Sequence, residues 1–241
     1  MNADASPPPV SQAVSLFVMR RAADAAALLE KQTDSVRVAK AYADVVKAIY
    51  REHHDISAML DAAEAGQRFC LVSAAARAAD SAAARELGRL AKELTYNAAN
   101  NCWPGWDEEG VEIDAEHLRR ADVLARASER LVQDLDLDHR QAGNAAWLVG
   151  ALALARDERD AARHEFELAA AAFAKGGDTA YELMARAYSA LVADLQSSGR
   201  SRRESLGAAV QALRDEGSGD ATFFADQLGT AQRLFGRPAT R

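Results

Sequence analysis

Glu52, His53, His54 and Asp55 form the densest run of side chains in the sequence that could bind a metal ion or transfer a proton. Successive residues on an α-helix point about 100° apart, so His53 and His54 cannot readily bind one ion together. The run also falls where one helical pattern stops and another starts, and a histidine near a helix C-terminus suits the helix dipole. We therefore interpret it as an exposed helix-end cluster.

Two aspartates are each followed three residues later by a histidine, Asp114 by His117 and Asp136 by His139. This spacing places both side chains of a pair on one helix face, where they could contribute to a carboxylate-bridged metal site. Helical metal sites of that kind use several glutamates that project into a core. N-capping by Asp114 and Asp138 explains the same residues, so we expect no metal site and no cofactor.

Short catalytic motifs are missing from the sequence. It contains no G-x-S-x-G, no phosphate-binding G-x-x-x-x-G-K, no dinucleotide-binding glycine series and no H-E-x-x-H. Cys70 lies in an apolar pattern typical of a buried thiol, and Cys102 has no histidine near it in the sequence. We predict that the protein is not an enzyme.

A long loop at residues 99–113 interrupts the helical pattern and carries Trp103 and Trp106. Rigid aromatic side chains on a loop are typical of recognition elements. Asn97 lies just before this loop, and Asn100 lies at its start. One alternative is that both indoles only fasten the loop to the helices. Another is a small-molecule sensor or enzyme with a pocket beneath the Trp103 and Trp106 loop.

Arg119 and Arg126 belong to a series of arginines on one predicted helix and could line a groove for an acidic peptide or a C-terminal carboxylate. In the alternative interpretation they form an exposed face paired with Glu116, Asp122 and Glu129. The candidate partner-binding residues are Asn97, Asn100, Trp103, Trp106, Arg119 and Arg126.

Apolar residues recur about every 3.6 positions along most of the chain, which predicts amphipathic helices. No run alternates apolar and polar residues over a useful length, so we expect no sheet. The pattern predicts an all-α protein of about ten helices, the first from Val10 to Lys31 and the last from about Asp220 to Phe235. Residues 1–9 are predicted to be a disordered leader, and 237–241 a short tail.

Charge and composition restrict the class of partner. The chain of 241 residues carries 36 acidic and 29 basic side chains, a formal net charge of -7 that repels nucleic acids and anionic membrane surfaces. Charges interrupt every apolar segment before it reaches the length of a membrane-spanning helix. With two cysteines in no disulfide pattern and no secretory signal, we predict a cytoplasmic protein that binds another protein or peptide.

One segment, at about residues 143–176, carries a recognisable pattern of small and aromatic residues. Gly150 is a small residue in its first helix, and Ala162, Phe166 and Ala169 form a small, aromatic, small series in its second. Without bulk at Gly150 and Ala162 the helix axes can approach closely, and Phe166 can fill the space towards the next helix pair. In these positions the segment resembles a tetratricopeptide repeat.

The resemblance implies a fold and a function for the whole chain. It implies a right-handed superhelical stack of antiparallel helix pairs, an α-solenoid, as a single domain over residues 10–236. It also implies a non-catalytic interaction or scaffold module that binds a peptide or helix of a partner protein in a concave groove. Self-association through the last amphipathic helix is a further hypothesis.

Overall fold

The computed structural model describes residues 9–78, 81–196 and 200–236, with side chains omitted for residues 200–204. Helix accounts for 82% of the structure, and the described residues contain no strand, which confirms the all-α prediction. The predicted leader, except Pro9, and the predicted tail lie outside the described residues. The α-helices are α1 Val10–Val18, α2 Ala22–Leu29, α3 Ser35–Ala48, α4 Ile56–Ala75, α5 Ala82–Asn100, α6 Ala115–Asp134, α7 His139–Ala155, α8 Arg159–Gly176, α9 Thr179–Leu195, α10 Arg200–Glu216 and α11 Gly219–Phe235.

Side-chain caps fix where many of these helices begin. The side chains of Asp114 and Asp138 accept hydrogen bonds from the backbone amides of His117 and Gln141, which confirms the predicted N-caps of α6 and α7. Other side-chain caps use the same chemistry and start α3, α4, α5 and α11 at Asp34, Asp55, Ser81 and Ser218.

The prediction of one helix from Val10 to Lys31 is wrong, because the chain breaks at Arg20 into α1 and α2. Arg20 adopts a left-handed backbone with φ of 61°. The amides of Arg20 and Arg21 turn back to the carbonyls of Phe17 and Leu16, which closes the end of α1. The buried stripe continues across the break from Phe17 to Leu29, so apolar spacing alone gives no sign of it.

Contacts between Cα atoms divide the chain into two compact units. The N-terminal unit comprises residues 1–102 and 110–136 and contains α1 to α6 in its described part. The C-terminal unit comprises residues 103–109 and 137–241 and contains α7 to α11. The single repeat domain over residues 10–236 stays a prediction. In the described part of the chain, no helix combines the length and apolar character needed to cross a membrane.

Gly66 allows α3, α4 and α5 to pack closely in the N-terminal unit. A Cβ at this position would lie 2.8 Å from Cβ of Tyr42 and 3.1 Å from a methyl carbon of Leu94. Tyr42 is fully buried, and its hydroxyl donates a 2.7 Å hydrogen bond to Glu30. Burial, reinforced by that carboxylate, raises the pKa of Tyr42. The tyrosine is therefore held in place and cannot easily move aside.

We expect Gly66→Ala to lower the free energy of unfolding by about 1–3 kcal/mol, because a core without spare volume is overpacked by one methyl group. Urea unfolding combined with hydrogen exchange of α3 and α4 would measure the loss. Gly229→Ala is the matched control, since no atom lies within 4 Å of its added Cβ. That change in the interior of α11 should instead stabilise by about 0.5–1 kcal/mol, and equal effects of the two would contradict the packing argument.

In the C-terminal unit, α7 and α8 approach closely where the sequence pattern predicts it. A Cβ at Gly150 would lie 3.0 Å from the Phe166 ring, so any larger residue would make this ring move by a few tenths of an ångström away from α7. On its other side the Phe166 ring lies 5.1 Å from the ring of Tyr188 on α9. Phe166 thus joins the α7 and α8 pair to the helix that follows.

Candidate binding cleft

A cleft of about 440 Å³ lies in the N-terminal unit between α3 and α5. Its base is apolar, since Val46 and Leu94 are 3% and 1% exposed. Its upper walls carry amides and both signs of charge. The lining residues are Ala43, Asp44, Val46, Lys47, Tyr50, Arg51, Glu93, Leu94, Asn97 and Asn101.

One wall is built by the outer face of α3 and the turn after it. Because Tyr42 and Val45 point into the core, the neighbouring positions Asp44 and Lys47 face outward along the cleft. Residues Ile49–His53 then form a π-helical turn, whose wider spacing places Tyr50 and Arg51 on the same wall. π-Helical turns occur frequently at functional sites, which makes this wall notable.

The opposite wall is one face of α5 and its C-cap. Glu93, Asn97 and Asn101 recur every four residues and therefore lie one above the other. The amide nitrogen of Asn101 donates a weak hydrogen bond to Sδ of Met59 at 3.5 Å, which orients the carboxamide. Asn97 is exposed at the rim. The helix presents two carboxamides about one turn apart.

The chemistry of the cleft suits a polar chain more than a single ion. Carboxamides donate and accept hydrogen bonds at once, as the peptide groups of a bound chain require. Lys47 and Arg51 supply two cations, and Asp44 and Glu93 supply two carboxylates. The balanced charge favours orientation and register of a ligand over simple attraction by charge.

Only one of the predicted partner-binding residues lines this cleft. Asn97 does, whereas Asn100 is not among the lining residues and Asn101 takes the place expected for it. Trp103 and Trp106 belong to the C-terminal unit. The predicted site therefore divides between the two units.

Trp103 is part of an aromatic cluster and is 1% exposed. Its ring centroid lies 5.1 Å from that of Phe235 and 6.4 Å from those of Trp147 and Tyr188. A Cβ at Gly105 would lie 2.3 Å from the indole, so the loop backbone covers the ring directly. Burial raises the pKa of Tyr188 within this cluster.

Trp106 is only partly buried and stacks on Phe223 at 6.4 Å between ring centroids. Trp103 thus fastens the loop to the helices, as one interpretation of the sequence expects. A recognition role for Trp106, or a small-molecule pocket beneath the loop, stays a prediction.

Arg119 and Arg126 both make ion pairs within α6. Arg119 pairs with Glu116, and Arg126 pairs with Asp122 across 3.2 Å. These are two of the pairs that the exposed-face interpretation predicts. Such pairs on one helix contribute little to stability and leave the guanidinium groups accessible to a ligand.

The sequence prediction missed several polar residues that line the cleft, among them Lys47, Tyr50, Arg51 and Asn101. A signal for Asn101 was present, because Asn97 and Asn101 share the four-residue spacing of one helix face. The predicted loop starts at residue 99, whereas α5 continues to Asn100 and is capped by Asn101. No comparable signal marks the π-helical turn, since its composition is that of an ordinary helix end.

The run from Glu52 to Asp55 lies at a helix end, as the sequence analysis interprets it. His53 and His54 are exposed where the π-helical turn ends, and His54 has a left-handed φ of 51°. Within the described residues, no three His, Cys, Asp or Glu side chains come together as a metal site requires. Burial raises the pKa of both Cys70 and Cys102 to about 12, which keeps the thiols protonated.

Comparison of the chain with protein-family models, curated proteins and solved structures found no match.

Proposed function

We propose that the protein is an interaction module whose cleft between α3 and α5 is non-catalytic and binds a short extended peptide of a partner protein. The observation that carries this proposal is the pair of carboxamides of Asn97 and Asn101 on one wall. Four residues along an α-helix span about 6 Å, at a rise of 1.5 Å each. Alternate peptide groups of an extended chain repeat every 6.4–6.8 Å or so, which is nearly the same distance.

The matched spacing explains how the cleft recognises a peptide without reading its whole sequence. Each carboxamide can donate to a peptide carbonyl and accept from a peptide N–H on the same edge of the ligand. The apolar base formed by Val46 and Leu94 then receives one or two ligand side chains. At about 440 Å³ the cleft suits an extended segment better than a helix, whose diameter is about 10 Å.

A repeat architecture is the wider part of the proposal. In the N-terminal unit α3 contacts both α4 and α5, and α4 contacts both α5 and α6; in the C-terminal unit α9 contacts both α10 and α11. Contacts of each helix with its next and next-but-one neighbour are what stacked antiparallel pairs produce. They support a tetratricopeptide-like α-solenoid, with α3 and α5 lining its groove. Two buried free cysteines support a reducing compartment such as the cytoplasm.

A fluorescence polarisation screen with a positional library of labelled hexapeptides tests this function. We expect at least one peptide class to bind wild-type protein, and the double change Asn97→Ala with Asn101→Ala to weaken it about 10- to 100-fold. Loss of one net hydrogen bond from each carboxamide, at about 0.5–1.5 kcal/mol apiece, amounts to about 1–3 kcal/mol, a range that contains this weakening.

Asn100→Ala is the matched control, because it removes a carboxamide from the same helix end that does not line the cleft. It should leave peptide affinity within about twofold, in line with ordinary surface substitutions. A library with no binder, or equal binding by wild type and the double variant, would rule out the proposed function.

A further inference from the structure

Ser57, His117 and Asp114 come together in the N-terminal unit although they are far apart in the sequence. Oγ of Ser57 lies 2.9 Å from Nε2 of His117. Nδ1 of the same imidazole lies 3.3 Å from Oδ1 of Asp114. A hydroxyl hydrogen-bonded to an imidazole that a carboxylate orients is the arrangement that activates serine nucleophiles.

The two helix N-termini hold this arrangement in place. Ser57 is the second residue of α4, and Asp114 is the N-cap of α6. The carboxylate of Asp114 also accepts the backbone N–H of His117 at 2.8 Å, so carboxylate and imidazole are fixed relative to each other. The His117 side chain is 14% exposed, and Ser57 is half-buried.

The surroundings of Ser57 favour a negative charge that develops beside it. Backbone amides of the first helical turn have no intrahelical acceptor, and the helix dipole adds positive potential there. Asp55, the N-cap of α4, is a competing negative charge, and it is engaged by the amide of Ala58 and by Arg20 at 3.0 Å. Burial alone would raise the pKa of Asp55, but these contacts outweigh it and lower the pKa.

We propose that Ser57 and His117 are the catalytic pair of an acyl-transfer site that cleaves small activated esters, with Asp114 as the positioning residue. Ser57 Oγ attacks the ester carbonyl carbon while Nε2 of His117 takes the hydroxyl proton. The ester C–O bond then breaks, and His117 returns the proton to the leaving alcohol. Water, deprotonated by the same Nε2, then attacks the acyl-serine. The bond between the acyl carbon and Oγ breaks, His117 returns the proton to Oγ of Ser57, and the carboxylic acid leaves. This activity is independent of the peptide cleft, and it contradicts our expectation of a non-catalytic chain.

The position of one proton separates this site from a purely structural cap. The backbone N–H of Asp114 also lies 3.3 Å from Nδ1, in a capping box. If Nδ1 accepts that N–H, then Nε2 carries the proton and Ser57 only accepts a hydrogen bond. If Nδ1 instead donates to the carboxylate of Asp114, then Nε2 is free to take the serine proton. The proposal requires the second tautomer in the reactive protein.

Labelling of the full chain with an alkyl fluorophosphonate tests the proposal, because Ser57 Oγ would displace fluoride while His117 takes the proton. We expect one adduct, at Ser57 by peptide mass spectrometry, and release of p-nitrophenol from p-nitrophenyl acetate. His117→Gln should lower both rates by about 100-fold or more, since glutamine cannot act as a base. Glutamine is also favoured at this capping-box position, so the helix end is preserved.

Asp114→Asn likewise keeps the N-cap but removes the negative charge beside the imidazole. Asp114 lies beside the His117 imidazole, and Asp55, which pairs with Arg20, interacts with it electrostatically. Losing one of them should move the half-maximal pH of labelling downward without changing the melting temperature. The cap serines Ser81 and Ser218 serve as internal controls and should stay unlabelled.

Each contrary result has a definite meaning. Absence of an adduct at Ser57, or an equal labelling rate in His117→Gln, overturns the acyl-transfer site. Asp114 and His117 then only form the capping box of α6. An unchanged pH profile in Asp114→Asn overturns the positioning role of that residue. None of these results affects peptide binding in the cleft, so the two proposals fail separately.

Discussion

Trp103→Ala is expected to lower the free energy of unfolding of the C-terminal unit by about 3–5 kcal/mol, the range for truncation of a fully buried aromatic side chain. The indole is 1% exposed and lies against the rings of Phe235, Trp147 and Tyr188. Its removal leaves a cavity that the covering loop at Gly105 would have to fill. Typical domains have a total stability of only about 5–15 kcal/mol, so this one change can unfold the unit.

Hydrogen exchange of the α7, α9 and α11 peptides, read alongside urea unfolding, would locate this loss in the C-terminal unit. Trp106→Ala is the matched control. It removes the same type of side chain three residues further along the loop, at a position that is partly exposed. It should cost about 1–2 kcal/mol, in keeping with incomplete burial and one stacked neighbour. Equal losses from the two variants would contradict the assignment of Trp103 as the anchor of the loop.

The contrast between these two tryptophans shows what the sequence could not predict. Both lie in a loop that proline and glycine mark clearly, and nothing local distinguishes a buried ring from an exposed one. Their difference comes from residues far along the chain, such as Tyr188 and Phe235, whose rings lie against that of Trp103. The sequence predicts a recognition role for both equally, yet of the two only Trp106 is partly exposed.

Helix content and many helix ends were predictable because their causes are local. Asp114 and Asp138 cap the next helix through their own side chains, and the apolar stripe of each helix repeats within it. The break at Arg20 escaped prediction because no glycine or proline marks it. There Arg20 adopts a left-handed backbone, and its side chain pairs with Asp55, 35 residues away.

The candidate sites were predictable only where a single helix carries them. Asn97 was identified at the end of α5, and its spacing to Asn101 could have extended the site. The π-helical turn that supplies Tyr50 and Arg51 has no composition signature. Ser57 and His117 are 60 residues apart, and their contact depends on how the starts of α4 and α6 meet.

An ion network between α4 and α6 is the second feature whose removal should have a large effect. Arg120 donates from Nη2 to Asp61 at 2.7 Å and from Nε to Glu64 at 2.9 Å. Burial alone would lower the pKa of the guanidinium, but its hydrogen bonds to Glu64 and Asp61 outweigh burial and raise it. The three side chains are 20%, 31% and 35% exposed, so the network is only partly shielded from water.

Arg120→Ala should therefore cost about 1–3 kcal/mol, less than the loss of a fully buried ion pair and more than that of a surface pair. Its loss leaves two carboxylates one turn apart with no cation, so adding Asp61→Asn and Glu64→Gln to Arg120→Ala should restore part of the stability. Urea unfolding of a double-mutant cycle measures this coupling, with Arg120→Ala as one change and the two carboxylate substitutions together as the other. Arg126→Ala on the same helix is the control, because its pair with Asp122 lies within α6 and should contribute about 0.3–0.5 kcal/mol. If the two arginine variants lost equal stability, Arg120 would be one more surface charge, and the packing of α4 against α6 would depend on apolar contacts alone.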